Sequence, residues 1–456
     1  MSQWREVLDE AAQYAVGYLD GLPERRVGSS ATLAELRETL GGRLPDRGEN
    51  PREVIASLAR HADPGVVASS SGRYFGFVIG GATPAALAAD WLTSVWDQNA
   101  GLYVIGPAAA VVEETAGQWL AELLGLPPTV SAGFVTGAQM ANFTGLAVAL
   151  HEVLGRAGWD VAERGLWGAP PVRVLAGQGR HGTIDRALRF LGAGTGSIVP
   201  IEMDDQGRML PSALRAALDD GPAIVCAQLG NVNSGALDPV GEICDLAHER
   251  GAWVHVDGAF GLWAAASPRL RGLVDGVEKA DSWATDAHKW LNVPYDSGLI
   301  FCAHPDAHRA TMGARAGYLV HGAEGERDAL DYGPEHSRRA RGFAVYAALR
   351  ALGRDGVADL VDRCCALATR FAERLAASGQ VEILGDVVLN QVLVRVPGAD
   401  DDTRELVERV QHDGTCWMSG TTWRGKAAMR ISVSNWSTTE EDVDRSVTAI
   451  LSLLPG

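Results

Sequence analysis

Between residues 130 and 302, short apolar runs rich in β-branched and aromatic residues alternate with more polar stretches. The runs lie at 172–176, 197–201, 223–228, 253–257, 281–285 and 298–302, most of them bounded by Gly, Pro or Asp. Continuous apolar runs of this length are typical of strands covered on both faces, so each is expected to be a buried parallel strand. Helix-like stretches such as 238–250 lie between several of them, and the alternation predicts a three-layer α/β sandwich. After residue 345 the order changes. Helices at 344–352 and 357–377 lead into a strand (387–396), a helix (402–412), two strands (415–419 and 429–434) and a last helix (439–454). Upstream, helices are expected at 2–19, 32–40 and 84–96, the last entered through Pro84. The chain thus divides into an N-terminal helical segment (1–75), a large α/β domain (76–345) and a small C-terminal α+β domain (346–456).

Composition narrows the function classes. Of 456 residues, 46% are hydrophobic and 21% charged, as in a soluble globular protein, and the length calls for more than one domain. The formal charge of −17 disfavours nucleic acid and anionic membranes as partners. Six cysteines occur without a CxxC pair or a Cys/His cluster, which points to buried free thiols, a cytoplasmic setting and no metal site. No secretory leader and no membrane span are expected.

Four features carry candidate chemistry. In Val135-Thr136-Gly137-Ala138-Gln139 a strand gives way to a Gly turn and a helix, whose free N–H groups and dipole suit a phosphate. The run 253–259 places Asp257 at the carboxyl end of a buried strand, where open α/β sheets bind ligands. Taken alone, Asp257 fits a metal ligand or a helix cap equally well. Lys289, in Thr285-Asp286-Ala287-His288-Lys289-Trp290, follows a strand and lies between apolar runs, where an amine can be desolvated enough to react. His181 stands between a strand and a helix, where an imidazole can stack on a ring or relay protons, or simply be a loop histidine.

Taken together, in this order, these segments resemble the group II pyridoxal-phosphate (PLP) decarboxylases, the family of the aromatic-amino-acid, tyrosine, histidine and glutamate decarboxylases. Val254-His255-Val256-Asp257-Gly258-Ala259 resembles its aspartate motif and Ala287-His288-Lys289-Trp290 its lysine motif. The likeness runs from about residue 70 to the C-terminus. It implies the aspartate-aminotransferase-like fold (PLP fold type I) and a homodimer with the active site at the subunit interface. It implies that Gly137, Ala138, Gln139 and His288 hold the phosphate. His181 would stack on the ring, Ala259 would pack on the opposite face, Asp257 would pair with the ring nitrogen, and Lys289 would form the Schiff base. Tyr332 would be a mobile-loop proton donor reaching the neighbouring subunit. The side-chain pocket would be built from the region of Tyr74, Phe75, Phe77, Trp96 and Tyr103. The family often has asparagine where this chain has Asp286, a carboxylate expected to turn away from the phosphate or to meet an arginine. Arg338, Arg339 and Arg341 form a basic run that either binds an acidic substrate or is a solvated face.

The expected function is decarboxylation of an aromatic L-amino acid to its amine and carbon dioxide. The alternatives are a PLP-dependent aldehyde synthase, C–C lyase or transaminase, and outside that chemistry a non-catalytic α/β binding protein.

Overall fold

A computed structural model describes residues 3–314, 319–323 and 325–455. The N-terminal helices are α1 (Gln3–Gly21), α2 (Leu33–Leu40) and α3 (Pro51–Ala62). Ser2, the expected start of the first helix, lies outside the described residues. Thr32 caps α2 in a reciprocal capping box with Glu35. Next come α4 (Pro84–Trp96) and α5 (Pro107–Leu123), both entered through proline.

The large sheet has seven strands: β1 (Ser131–Val135), β2 (Arg173–Gly177), β3 (Ile198–Ile201), β4 (Ala223–Gln228), β5 (Trp253–Asp257), β6 (Ser282–Asp286) and β7 (Gly298–Cys302). Their spatial order is β1-β7-β6-β5-β4-β2-β3. Alternate side chains serve opposite layers. Ile224 and Cys226 join one apolar cluster with Leu146 and Ile184, while Val225 and Ala227 join another with Ile243 and Ala247. The first layer holds α6 (Ala138–Arg156) and the helix Gly182–Phe190, and the second holds the helix Val240–His248. This is the three-layer sandwich expected.

One strand departs from expectation. β7 runs antiparallel to both β6 and β1. The link from β6 covers only residues 287–297, too short for the helical crossover that a parallel return requires. That link carries Lys289.

Downstream, Gly342–Ala377 is helical apart from a break at Gly353, whose φ of 64° separates the two expected helices. A four-stranded sheet follows, with β8 (Glu382–Ile383), β9 (Gln391–Arg395), β10 (Ser419–Trp423) and β11 (Lys426–Ser432) in the order β10-β11-β9-β8. The strand expected at 415–419 begins instead at Ser419, because β10 forms a tight hairpin with β11 that pairs Trp423 with Lys426. Among the described residues, no helix is long and apolar enough to cross a membrane.

Candidate active site

β4, β5 and β6 end on one edge of the sheet, and α6 begins there after β1. The close approach of these segments depends on glycine. A Cβ on Gly298 would stand 2.3 Å from the Gly137 Cα, so β7 can lie against the turn into α6 only without a side chain.

Asp257 ends β5, buried. Its Oδ2 accepts Asn142 Nδ2–H of α6 at 3.1 Å and its Oδ1 accepts the Ala259 N–H at 3.3 Å. Asp286 ends β6. Its Oδ1 accepts the Ala138 N–H at 2.6 Å and lies 3.4 Å from His288 Nε2, while its Oδ2 is 2.9 Å from Lys289 Nζ. Asp286 therefore neither turns away nor meets an arginine. The opening turn of α6 and the neighbouring lysine are the nearest positive groups, and both bind it.

The turn bearing Lys289 is fastened from outside. Asn292 Oδ1 accepts the N–H groups of Gly81 at 2.6 Å and Trp436 at 3.0 Å, and its Nδ2 donates to the Ser434 carbonyl at 2.9 Å. His288 accepts the Ser297 N–H on Nδ1 at 3.1 Å and stacks on Tyr295, with ring centroids 4.1 Å apart. Burial lowers its pKa, so it stands as a neutral imidazole.

His181 caps the helix Gly182–Phe190, its Nδ1 accepting from Thr183. It is exposed at the cavity mouth, yet enough protein surrounds the ring to lower its pKa, the nearby Lys289 and Arg430 adding to the effect. Thr183 Oγ1 lies 2.9 Å from His181 Nδ1 and 3.0 Å from Asn142 Nδ2, and so links the histidine to the Asp257 network.

All eight residues expected to hold the cofactor line one cavity of about 260 Å³, at the small end for ligand sites. Of the aromatics expected in the side-chain pocket, only Phe77 lines this cavity. Tyr74 is buried in a stack on Trp417, with centroids 5.2 Å apart, and Phe75 is core against Phe371. Trp96 packs edge-on against Phe343. Tyr103 is held away by its N–H bond to Asp328 Oδ1 at 2.8 Å. Neighbouring aromatics in this segment face different ways because its backbone is irregular, with Phe77 and Val78 both at positive φ.

Tyr332 is not brought to the cavity either. Its ring lies beneath the Arg327 guanidinium, 4.4 Å from carbon to centroid, and edge-on to His308. To reach a partner's cavity it would have to leave that packing. The basic run is spoken for as well: Arg338 pairs with buried Glu113 at 2.8 Å, Arg339 with Asp90 at 2.7 Å and Arg341 with Asp296 at 2.7 Å.

One further residue went unassigned. Arg430, on β11, is buried and donates Nη1–H to the Val232 carbonyl at 3.1 Å, while its Nε has no partner. Among the described residues no carboxylate pairs with it, and burial pushes its pKa down to about 10. Val232 lines the cavity, and the charge of Arg430 is felt at His181. The available signal was an arginine between Met429 and Ile431, in the apolar part of the strand.

Comparison with known proteins points to one family. A family model described as the pyridoxal-dependent decarboxylase conserved domain matches residues 34–396. An aromatic-L-amino-acid decarboxylase of Bacillus atrophaeus is 27% identical over 458 residues, covering 97% of this chain and 93% of that protein. A 4-hydroxyphenylacetaldehyde synthase of Rhodiola rosea is 28% identical over 436 residues, covering 89% and 86%. Among solved structures, Oryza sativa TDC with PLP and tryptamine superposes with a TM-score of 0.91 at 24% identity, over 99% of this chain and 98% of that one.

Proposed function

The chain belongs to the pyridoxal-dependent decarboxylase family, and from that premise we propose that it removes the α-carboxylate of an aromatic L-amino acid, releasing the amine and carbon dioxide. The fold is the type I fold of PLP enzymes, and the cofactor is PLP. The observation that carries the reading is a pairing at the carboxyl edge of the sheet. One cavity holds both the Lys289 amine and the Asp257 carboxylate.

When bound, PLP supplies an aldehyde that condenses with amines and a ring that takes up the electron pair left by a departing carboxylate. The donor set fits it. Lys289 would hold the aldehyde and Asp257 the ring nitrogen. The opening amides of α6 at Ala138 and Gln139, with His288, would hold the phosphate, and His181 and Ala259 would flank the ring. Two N–H donors converge on the Asp257 carboxylate, one on each oxygen. His181, its Nδ1 engaged by Thr183, offers Nε2–H to the cavity. Arg430, whose Nε has no partner, would offer that donor to the substrate carboxylate. Phe77, exposed at the mouth, offers an apolar wall to an aromatic side chain and helps exclude water.

A second reading, the aldehyde synthase, is favoured by the packing of Tyr332. Held against Arg327 and His308, its phenol would be kept from delivering a proton at Cα, the step that separates amine from aldehyde formation.

Exposed apolar side chains support a homodimer. Trp91, Leu92, Val95 and Trp96 form an uncovered face on α4, and an apolar cavity of about 1150 Å³ opens between α1, α3 and α4. The N-terminal segment 1–75 would then pack on the partner. The burial of all six free cysteines supports a reducing, cytoplasmic setting.

The test supplies the purified protein with PLP and a panel of L-amino acids, beside Lys289→Ala. Carbon dioxide, amine, aldehyde and hydrogen peroxide are each measured. Carbon dioxide with amine from an aromatic substrate, lost in Lys289→Ala, supports the first reading. Aldehyde with peroxide moves the assignment to the second, and no carbon dioxide from any amino acid overturns both.

A further inference from the structure

Behind Asp257 runs a line of buried polar groups whose hydrogen bonds all point the same way. Trp253 Nε1 lies 3.0 Å from Ser282 Oγ. Ser282 Oγ lies 2.8 Å from His255 Nδ1, and His255 Nε2 lies 2.9 Å from Asn142 Oδ1. Asn142 Nδ2 then donates to Asp257 Oδ2 at 3.1 Å. Trp253, Asn142, His255 and Ser282 are each fully buried.

The two ends set the direction. An indole nitrogen can only donate and a carboxylate can only accept. Asn142 must therefore turn its amide nitrogen to Asp257 and its oxygen to His255, which places the imidazole proton on Nε2. His255 Nδ1 is then an acceptor and takes the Ser282 hydroxyl proton, leaving Ser282 Oγ to receive the Trp253 N–H. Burial pushes the His255 pKa down to about 4, so the ring keeps this neutral form at physiological pH. Space for it is built in: a Cβ on Gly145 would stand 2.5 Å from His255 Cε1, so the helix that carries Asn142 also needs a glycine one turn on.

We propose that His255 and Ser282 are positioning residues which, through Asn142, keep a donor aimed at Asp257, so that the proton shared between Asp257 and the cofactor's ring nitrogen stays on the ring. This rests on the PLP reading given above. Aligned donors polarise one another, and each one directed at a carboxylate favours its charged form. Without them the proton moves toward Asp257 and the ring loses the positive charge that makes it an electron sink.

The experiment loads the protein with PLP carrying ¹⁵N in its ring and records the ring-nitrogen signal from pH 7 to 9. The wild type, His255→Leu, Ser282→Ala and His255→Gln are compared. The signal in His255→Leu and Ser282→Ala should shift toward the unprotonated position with the cofactor still bound. In His255→Gln, whose Nε2 can still donate to Asn142, it should stay with the wild type. An unshifted signal in a loaded His255→Leu protein overturns the proposal. If that variant does not fold, an unshifted Ser282→Ala overturns it instead. If the wild type takes up no cofactor, no bound signal appears at all, and the proposal falls together with the reading beneath it.

Discussion

Lys289 Nζ and Asp286 Oδ2 lie 2.9 Å apart, and the other oxygen of the same carboxylate accepts the Ala138 N–H at 2.6 Å. One acidic side chain thus engages both the candidate Schiff-base lysine and the helix terminus best suited to a phosphate. A carboxylate beside a phosphate is repulsive. Asp286→Asn should therefore tighten PLP binding by about tenfold, a change of ~1.4 kcal/mol, with the largest gain at low ionic strength. Equilibrium dialysis or quenching of protein fluorescence by PLP would check this. Weaker binding would mean that Asp286 serves chiefly to hold Lys289 in place.

Among the described residues Arg430 is a buried cation without a carboxylate partner, an arrangement that costs stability and is kept for another reason. Arg430→Met should raise KM for the amino acid by at least about tenfold, the loss of one charge-assisted contact, while Tm holds or rises. Steady-state kinetics and a thermal melt on one preparation separate the two effects. A fall in Tm with unchanged KM would assign Arg430 to the scaffold.

A pH-dependent contribution lies away from the cavity, at Asp281. Its carboxylate accepts the Val254 N–H at 2.7 Å and meets His248 Nε2 at 3.0 Å and His304 Nε2 at 2.9 Å. Burial opposes its charge, but these partners outweigh it and hold the pKa at about 2. A carboxylate depressed on folding stabilises the protein above its ordinary range and loses that contribution as pH falls through the folded value. Asp281→Asn should cost about 2 kcal/mol at pH 7, and the difference should vanish near pH 2. Urea denaturation across that range would show it.

The open face of α4 predicts assembly. Leu92→Glu combined with Val95→Glu places two charges on it and should yield monomer in sedimentation velocity, where the unaltered chain should sediment as a dimer. Loss of carbon dioxide release in the monomer would fit a site completed across the interface, and full activity would argue against one.

Much of this architecture was legible in the residues. The β-branched runs marked six strands of the large sheet, and the strand-end carboxylate and downstream lysine were visible in order. What was missed depends on direction and on distant approach. Apolar content does not reveal which way a strand runs, so β7 looked like its parallel neighbours. The aromatics at 74 and 75 carried no sign of which way they face, because the segment is irregular and periodicity gives no guidance there. Arg430 and Asn142 acquire meaning only where β11 and α6 converge on residues far away in the chain. Tyr332 followed a family pattern, whereas its surroundings here offer a cation and an imidazole edge to hold the ring.

Asn292 gives the molecule an order of assembly. The turn that presents Lys289 is pinned by main-chain groups of Gly81, Ser434 and Trp436, drawn from both ends of the chain. During synthesis the large sheet can be complete through β7 while two of those partners have yet to be made. Lys289 therefore reaches its final setting only after residue 436 has left the ribosome, which makes this turn among the latest parts of the protein to mature.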